Sequence, residues 1–125
     1  MTTRRHALVV DDNQLNSRLA ALFLERLGWT TVALDSGEAA LQALRDGGFD
    51  LVLLDLRMPR IGGEQVCQTI RQELGLTRLP VVAYTAHSMP EERARILASG
   101  FDGLLIKPIS FKDVKDLCDA LPLPS

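Results

Sequence analysis

The chain has 125 residues, enough for one compact core and too few for two ordinary domains. Lys and Arg number 14 against 16 Asp and Glu, a formal net charge of −2, so there is no basic field to gather polyanions and no support for direct nucleic-acid binding. The apolar run after the two N-terminal arginines stops at Val10, far short of a membrane span or a signal-peptide core, which leaves no membrane partner to expect.

One domain is expected over 1–125, with a core from about 5 to 121 and a tail at 122–125 that is either a native end or a cut linker. Cys67 and Cys118 lie far apart within helical patterns. They read as reduced core thiols rather than a disulfide framework, and the expected compartment is the cytoplasm.

In chain order, residues 7–10 (ALVV) form the first apolar run. A helical period follows at Leu19, Leu22, Phe23 and Leu27, stopped by Gly28. Residues 30–34 (TTVAL) are a weaker strand, diluted by threonine and therefore placed at a sheet edge. Ala40, Ala43 and Leu44 mark a second helix, 51–54 (LVLL) a third strand, and Val66, Ile70 and Leu74 a third helix. The run 81–84 (VVAY) precedes a helix carrying Ala94, Leu97 and Ala98 and stopped by Gly100. The run 104–106 (LLI) precedes a last helix with Val114, Leu117, Cys118 and Leu121. Ser88 to Glu91 and Ser110 to Asp113 have the spacing of capping boxes.

Four of the strands are continuously apolar rather than alternating, as expected of a parallel sheet covered on both faces. Five repeats of strand then helix predict an α/β fold: a doubly wound, flavodoxin-like, three-layer sandwich with strand order 2-1-3-4-5. In such a sheet ligands bind beyond the carboxyl ends of the strands, near the reversal between the first and third. The residues after the runs therefore matter most: Asp11 and Asp12, then Asp55, then Thr85, then Lys107.

Three carboxylates gathered without a cation repel one another and cost stability, and a hard divalent ion relieves that cost. Mg2+, with Mn2+ as the substitute, suits a small open site of oxygen donors; no His or Cys joins the cluster, which argues against zinc. Lys107 can pair with an acceptor carboxylate and later with a phosphoryl oxygen, and Thr85 offers a hydroxyl. No glycine-rich nucleotide cradle is present, so a phosphate would have to arrive on another molecule. Taken alone, Asp11 and Asp12 read more readily as strand-end carboxylates capping the first helix, and the amide side chains of Asn13 and Asn16 are candidates for the same cap.

The set Asp11-Asp12-Asn13, Asp55-Leu-Arg-Met-Pro59, Thr85-Ala86 and Lys107-Pro108 resembles the signature of bacterial response-regulator receiver domains. The likeness runs from the first strand to the last helix, with Thr85 and Lys107 lying 30 and 52 positions after Asp55. It implies that Asp55 is the phosphoacceptor, attacking a phosphohistidine on a histidine kinase or histidine phosphotransfer protein. Asp12 would ligate the metal directly, Asp11 mainly through water, and Asp55 and the backbone carbonyl of Arg57 would complete the protein ligands. It further implies that Thr85 is the switch hydroxyl, that Lys107-Pro108 is a cis peptide, and that Arg57 and His87 tune the acyl-phosphate lifetime. The domain would not be an enzyme beyond its own phosphorylation and autodephosphorylation. It would act through a downstream protein target on the fourth helix, fifth strand and fifth helix, as a monomer or weak homodimer.

Leu104 departs from the pattern, since receivers commonly carry Tyr, Phe or His three residues before the lysine. The run Asp-Asp-Asn-x-x-Asn also resembles receivers attached to hybrid histidine kinases, so a domain excised from such a kinase is one alternative. A metal-dependent aspartyl-phosphate phosphohydrolase is another, though Arg57 stands where that class would carry an acid. A flavodoxin-like cofactor carrier conflicts with the two acids after Val10, where a flavin phosphate needs donors. A degenerate receiver conflicts with retention of all five site residues. Met58 and Pro59 read as loop-shaping, and Gly62-Gly63 as a place for positive φ.

Overall fold

A computed structural model of the chain describes residues 5–86 and 89–121. Five strands alternate with five helices: β1 His6–Val10, α1 Gln14–Arg26, β2 Thr30–Leu34, α2 Gly37–Asp46, β3 Leu51–Asp55, α3 Gly63–Gln72, β4 Val81–Thr85, α4 Pro90–Ala98, β5 Gly103–Ile106 and α5 Phe111–Ala120. The strands form one parallel sheet in the order β2-β1-β3-β4-β5, with β2 at an edge as its threonines suggest. The expected doubly wound α/β architecture is therefore the observed one.

The pleat divides the central strands between two cores, because successive side chains face opposite sides of a sheet. Leu8, Val10, Val52, Leu54, Val81 and Ala83 face α2, α3 and α4, where they meet Ala40, Leu44, Val66, Ile70 and Ile96. Ala7, Val9, Leu51, Leu53, Val82, Tyr84 and Leu105 face α1 and α5, where they meet Ala20, Leu24 and Val114. Burial on both faces is what makes β1, β3 and β4 continuous apolar runs.

Two helical faces differ from expectation. In α1 the buried stripe is Ser17, Ala20 and Leu24, with Leu19, Phe23 and Leu27 packed at its flank, while Leu22 is 53% exposed. Small residues at Ser17 and Ala20 let the helix axis approach the sheet, and hydrophobicity alone does not reveal that preference. In α4 only Ile96 is buried, and Ala94, Leu97 and Ala98 face outward. An Ala-x-x-Leu-Ala spacing fits a helical period whichever way the face turns, and the single long β-branched side chain decides it.

Helix ends follow local chemistry. Asn13 caps α1 by accepting from the Asn16 N–H, so the cap is Asn13 rather than Asn16 or either aspartate. Ser110 and Asp113 form the expected reciprocal capping box of α5. Helix α4 starts with Pro90 after Met89, which makes no side-chain cap; Ser88 lies outside the described residues. The predicted positive φ at Gly62-Gly63 is absent, and in that loop it falls on Arg60 at 69°. Gly63 is needed for space instead: a Cβ there would stand 2.5 Å from the backbone oxygen of Asp55, so α3 starts directly against the end of β3.

At the opposite end of the sheet Arg71 of α3 ties together two loops, the one between α3 and β4 and the one between α4 and β5. Its guanidinium, 15% exposed, donates to the carbonyls of Leu76, Leu79 and Gly100 and to the Asp102 carboxylate, which also accepts from the Val81 N–H. The planar fork suits several fixed acceptors at once. Among the described residues no helix is long and apolar enough to cross a membrane.

Candidate functional site

The site forms where the central strands run out. Asp55 is the last residue of β3 and Thr85 the last of β4, one position inside the strands rather than after them, while Asp11 and Lys107 extend the ladders past β1 and β5. The Asp11 N–H donates to the Leu34 carbonyl at 3.1 Å and the Lys107 N–H to the Thr85 carbonyl at 2.8 Å, so both backbones stay in sheet register. Asp55 pairs with Tyr84, and Tyr84 with Leu105. Asp11, Asp55, Tyr84 and Lys107 continue the strand positions that face α1 and α5, whereas Thr85 continues the positions that face α4.

Lys107 Nζ lies 3.1 Å from Asp11 Oδ2 and 3.3 Å from Asp55 Oδ1, one ammonium shared by two carboxylates. Its peptide bond to Pro108 is cis, as the resemblance implies. Asp11 Oδ1 accepts from the Asn13 N–H at 2.9 Å, and Asp55 Oδ1 from the Arg57 N–H at 3.1 Å. Asp11 is 1%, Asp55 4% and Thr85 3% exposed, whereas Asp12 and Arg57 are open to solvent. Leu104 is half-buried and packs toward the α4 side of the core. His87 lies outside the described residues.

Burial pushes both inner carboxyl groups upward, and their partners separate them. For Asp11 the hydrogen bonds from Tyr84, Asn13 and Lys107 outweigh burial and hold it below the ordinary carboxylate value. Asp55 is raised to about 6, first by burial and then by the negative charge of Asp11, which the Arg57 N–H and Lys107 only partly offset. Asp55 is thus an anion short of positive charge.

Oxygen atoms of Asp11, Asp12 and Asp55 lie within 4.8 Å of one another. The donor set is all carboxylate, partly open through Asp12 and under-neutralised at Asp55, which fits a hard, octahedral, incompletely dehydrated ion such as Mg2+. Each of these groups is expected from the sequence, where Tyr84 reads as an ordinary strand residue. In the structure its hydroxyl donates to Asp11 Oδ2 at 2.5 Å, and its ring lies 4.5 Å from Lys107 Nζ. The available signal was its position, an aromatic hydroxyl on the buried face one residue before Thr85.

Fold and site together define a class: a flavodoxin-like α/β domain whose acidic pocket surrounds one aspartate at the end of the third strand. Comparison with known proteins makes it specific. The family model described as response regulator receiver domain matches residues 7–119, and the chain belongs to that family, a signalling domain of two-component systems. It is 46% identical over 106 residues to the sensor histidine kinase GacS of Pseudomonas protegens, 82% of this chain and 12% of that protein. Over 108 residues it is 44% identical to the sensor histidine kinase RcsC of Escherichia coli K12, 86% of this chain and 11% of that protein. The chain thus spans about a tenth of the length of these relatives. Among solved structures, the chemotaxis protein CheY4 of Vibrio cholerae superposes with a TM-score of 0.87 at 22% identity, covering 95% of this chain and 99% of that one, a likeness of fold. A putative response regulator from Chloroflexus aurantiacus gives 0.87 at 25% identity, covering 94% and 96%.

Proposed function

We propose that Asp55 accepts a phosphoryl group from a phosphohistidine and that the resulting acyl phosphate switches a protein-binding surface. The observation that carries this reading is one buried carboxylate, raised to about 6, held between two further acids and an ammonium group. An Asp55 carboxylate oxygen forms the new P–O bond, the P–N bond of the donor breaks, and the departing imidazole nitrogen takes up a proton. The donor is a histidine kinase or a histidine phosphotransfer protein, in keeping with the relatives named sensor histidine kinases.

Asp11, Asp12 and Asp55, with the backbone carbonyl of Arg57, would hold Mg2+. When bound, the ion neutralises charge on the transferring oxygens. Lys107 stands within reach of Asp55 and supplies a second positive charge there. The Arg57 N–H fixes the Asp55 carboxylate, and its side chain, open to solvent, is placed to meet incoming water and set the rate of autodephosphorylation. His87 is assigned the same tuning role by its place two residues after Thr85.

Thr85 is the switch residue, joining the pocket to the α4 side of the sheet, and Leu104 substitutes a packing side chain for the usual aromatic. The output is the surface of α4, β5 and α5, read by a downstream protein target. A place in the cytoplasm as one unit of a hybrid histidine kinase agrees with the relatives' names and the reduced thiols. An exposed arginine at position 57 counts against the phosphohydrolase alternative.

Incubation with Mg2+ and a small acyl-phosphate donor, followed by intact-mass measurement, tests the reading. Wild type is expected to gain one phosphoryl group and Asp55→Asn none; equal gain by both proteins, or by neither, refutes it.

A further inference from the structure

We infer that Tyr84 is a positioning residue whose hydroxyl orients Asp11 and shares its charge with Lys107, and that it thereby sets how tightly the acidic pocket binds a divalent cation. This rests on the reading of the pocket as a metal-dependent phosphoacceptor site. The geometry points to Tyr84 because both Asp11 oxygens are engaged by the protein. Oδ1 takes the Asn13 N–H at 2.9 Å, and Oδ2 takes the Tyr84 hydroxyl at 2.5 Å and Lys107 Nζ at 3.1 Å. Three donors on one buried carboxylate leave it little freedom to rotate.

The phenol also acts on Lys107. That ammonium sits between Asp11 and Asp55 and over the Tyr84 ring at 4.5 Å, so the ring supports it from below while the hydroxyl competes with it for Asp11 Oδ2. Without the hydroxyl, Lys107 becomes the sole side-chain donor among these groups to Asp11 Oδ2 and is drawn toward it. That shift moves a positive charge closer to Asp11, one of the three acids that would hold the metal, and farther from Asp55. A divalent cation then meets a looser Asp11 and a stronger opposing charge, and both effects weaken its binding.

Tyr84 is fully buried, and a buried tyrosine hydroxyl commonly finds some acceptor, so the test separates positioning from simple satisfaction in the core. Tyr84→Phe keeps the ring under Lys107 and removes only the hydroxyl. Titration of Mg2+ by calorimetry, without any phosphodonor, is expected to show affinity about fivefold weaker in Tyr84→Phe than in wild type, the size of one buried hydrogen bond. In an Asp11→Asn background the same change is expected to have no further effect, because the route through Asp11 is already cut. Unchanged or tighter Mg2+ binding in a folded Tyr84→Phe protein, or an equal effect in both backgrounds, overturns the inference.

Tyr84 is the chain's single tyrosine, which gives a readout that needs no substitution at position 84. Ultraviolet Raman bands sensitive to phenol hydrogen bonding are expected to report a strong donor in wild type, to change on addition of Mg2+, and to lose that response in Asp11→Asn. A tyrosine signal indifferent to Mg2+ also overturns the inference. Wild type that binds no Mg2+ refutes the parent reading and this one together, whereas wild type that binds it with Tyr84→Phe indistinguishable refutes this one alone.

Discussion

Replacing Asp55 by Asn should make the metal-free protein more stable, and by an amount that depends on pH. The Asp55 carboxyl lies near 6 in the folded chain against an ordinary 3.8, so between those values the folded state binds more protons than the unfolded state. Stability therefore falls as pH rises through this window, and the cost of the ionised acid is complete above about pH 6 and absent below about pH 4. A difference of roughly two pH units corresponds to about 3 kcal/mol. The attraction of Lys107 is already contained in that value and Asn keeps an acceptor for the Arg57 N–H, so the net expectation stays at about 3 kcal/mol, or about 12 °C in Tm. Urea unfolding with a chelator present, at about pH 8 and again near pH 4, should show the gain at the first and its loss at the second. Saturating Mg2+ should narrow or reverse the difference, since the ion favours the folded wild type. Equal stability of the two proteins at the higher pH, or a gain that ignores pH, would refute the argument that the acceptor is an under-neutralised anion.

Arg71→Met keeps the buried stem but removes donors to three loop carbonyls and Asp102, and should cost about 3 kcal/mol by chemical denaturation while the phosphoryl yield is unchanged. Arg71→Lys should restore little, because one ammonium cannot span the same acceptors. Arg57→Ala should change the dephosphorylation rate severalfold, measured as decay of the phosphorylated mass after donor removal; an unchanged lifetime would remove the side chain from the mechanism.

The alternation of strands and helices, the parallel sheet and the strand ends that meet in the site are legible in the residues alone. Doubly covered strands leave a continuous apolar record, and the acids, threonine and lysine stand at their ends whatever the helices do. Which helical faces turn inward is settled by packing in three dimensions, as Leu22 and Leu97 show, because small residues and single anchors set the approach of a helix to a sheet. Packing also decides that Gly63 answers to the Asp55 backbone and that Tyr84 and Asp11 share a hydrogen bond. Tyr84 lies on β4 and Asp11 just past the end of β1, strands that are not adjacent, and the two residues are 73 positions apart in the chain. Their pairing depends on strand register and the pleat, which place a phenol beside a carboxylate through space that no local pattern records.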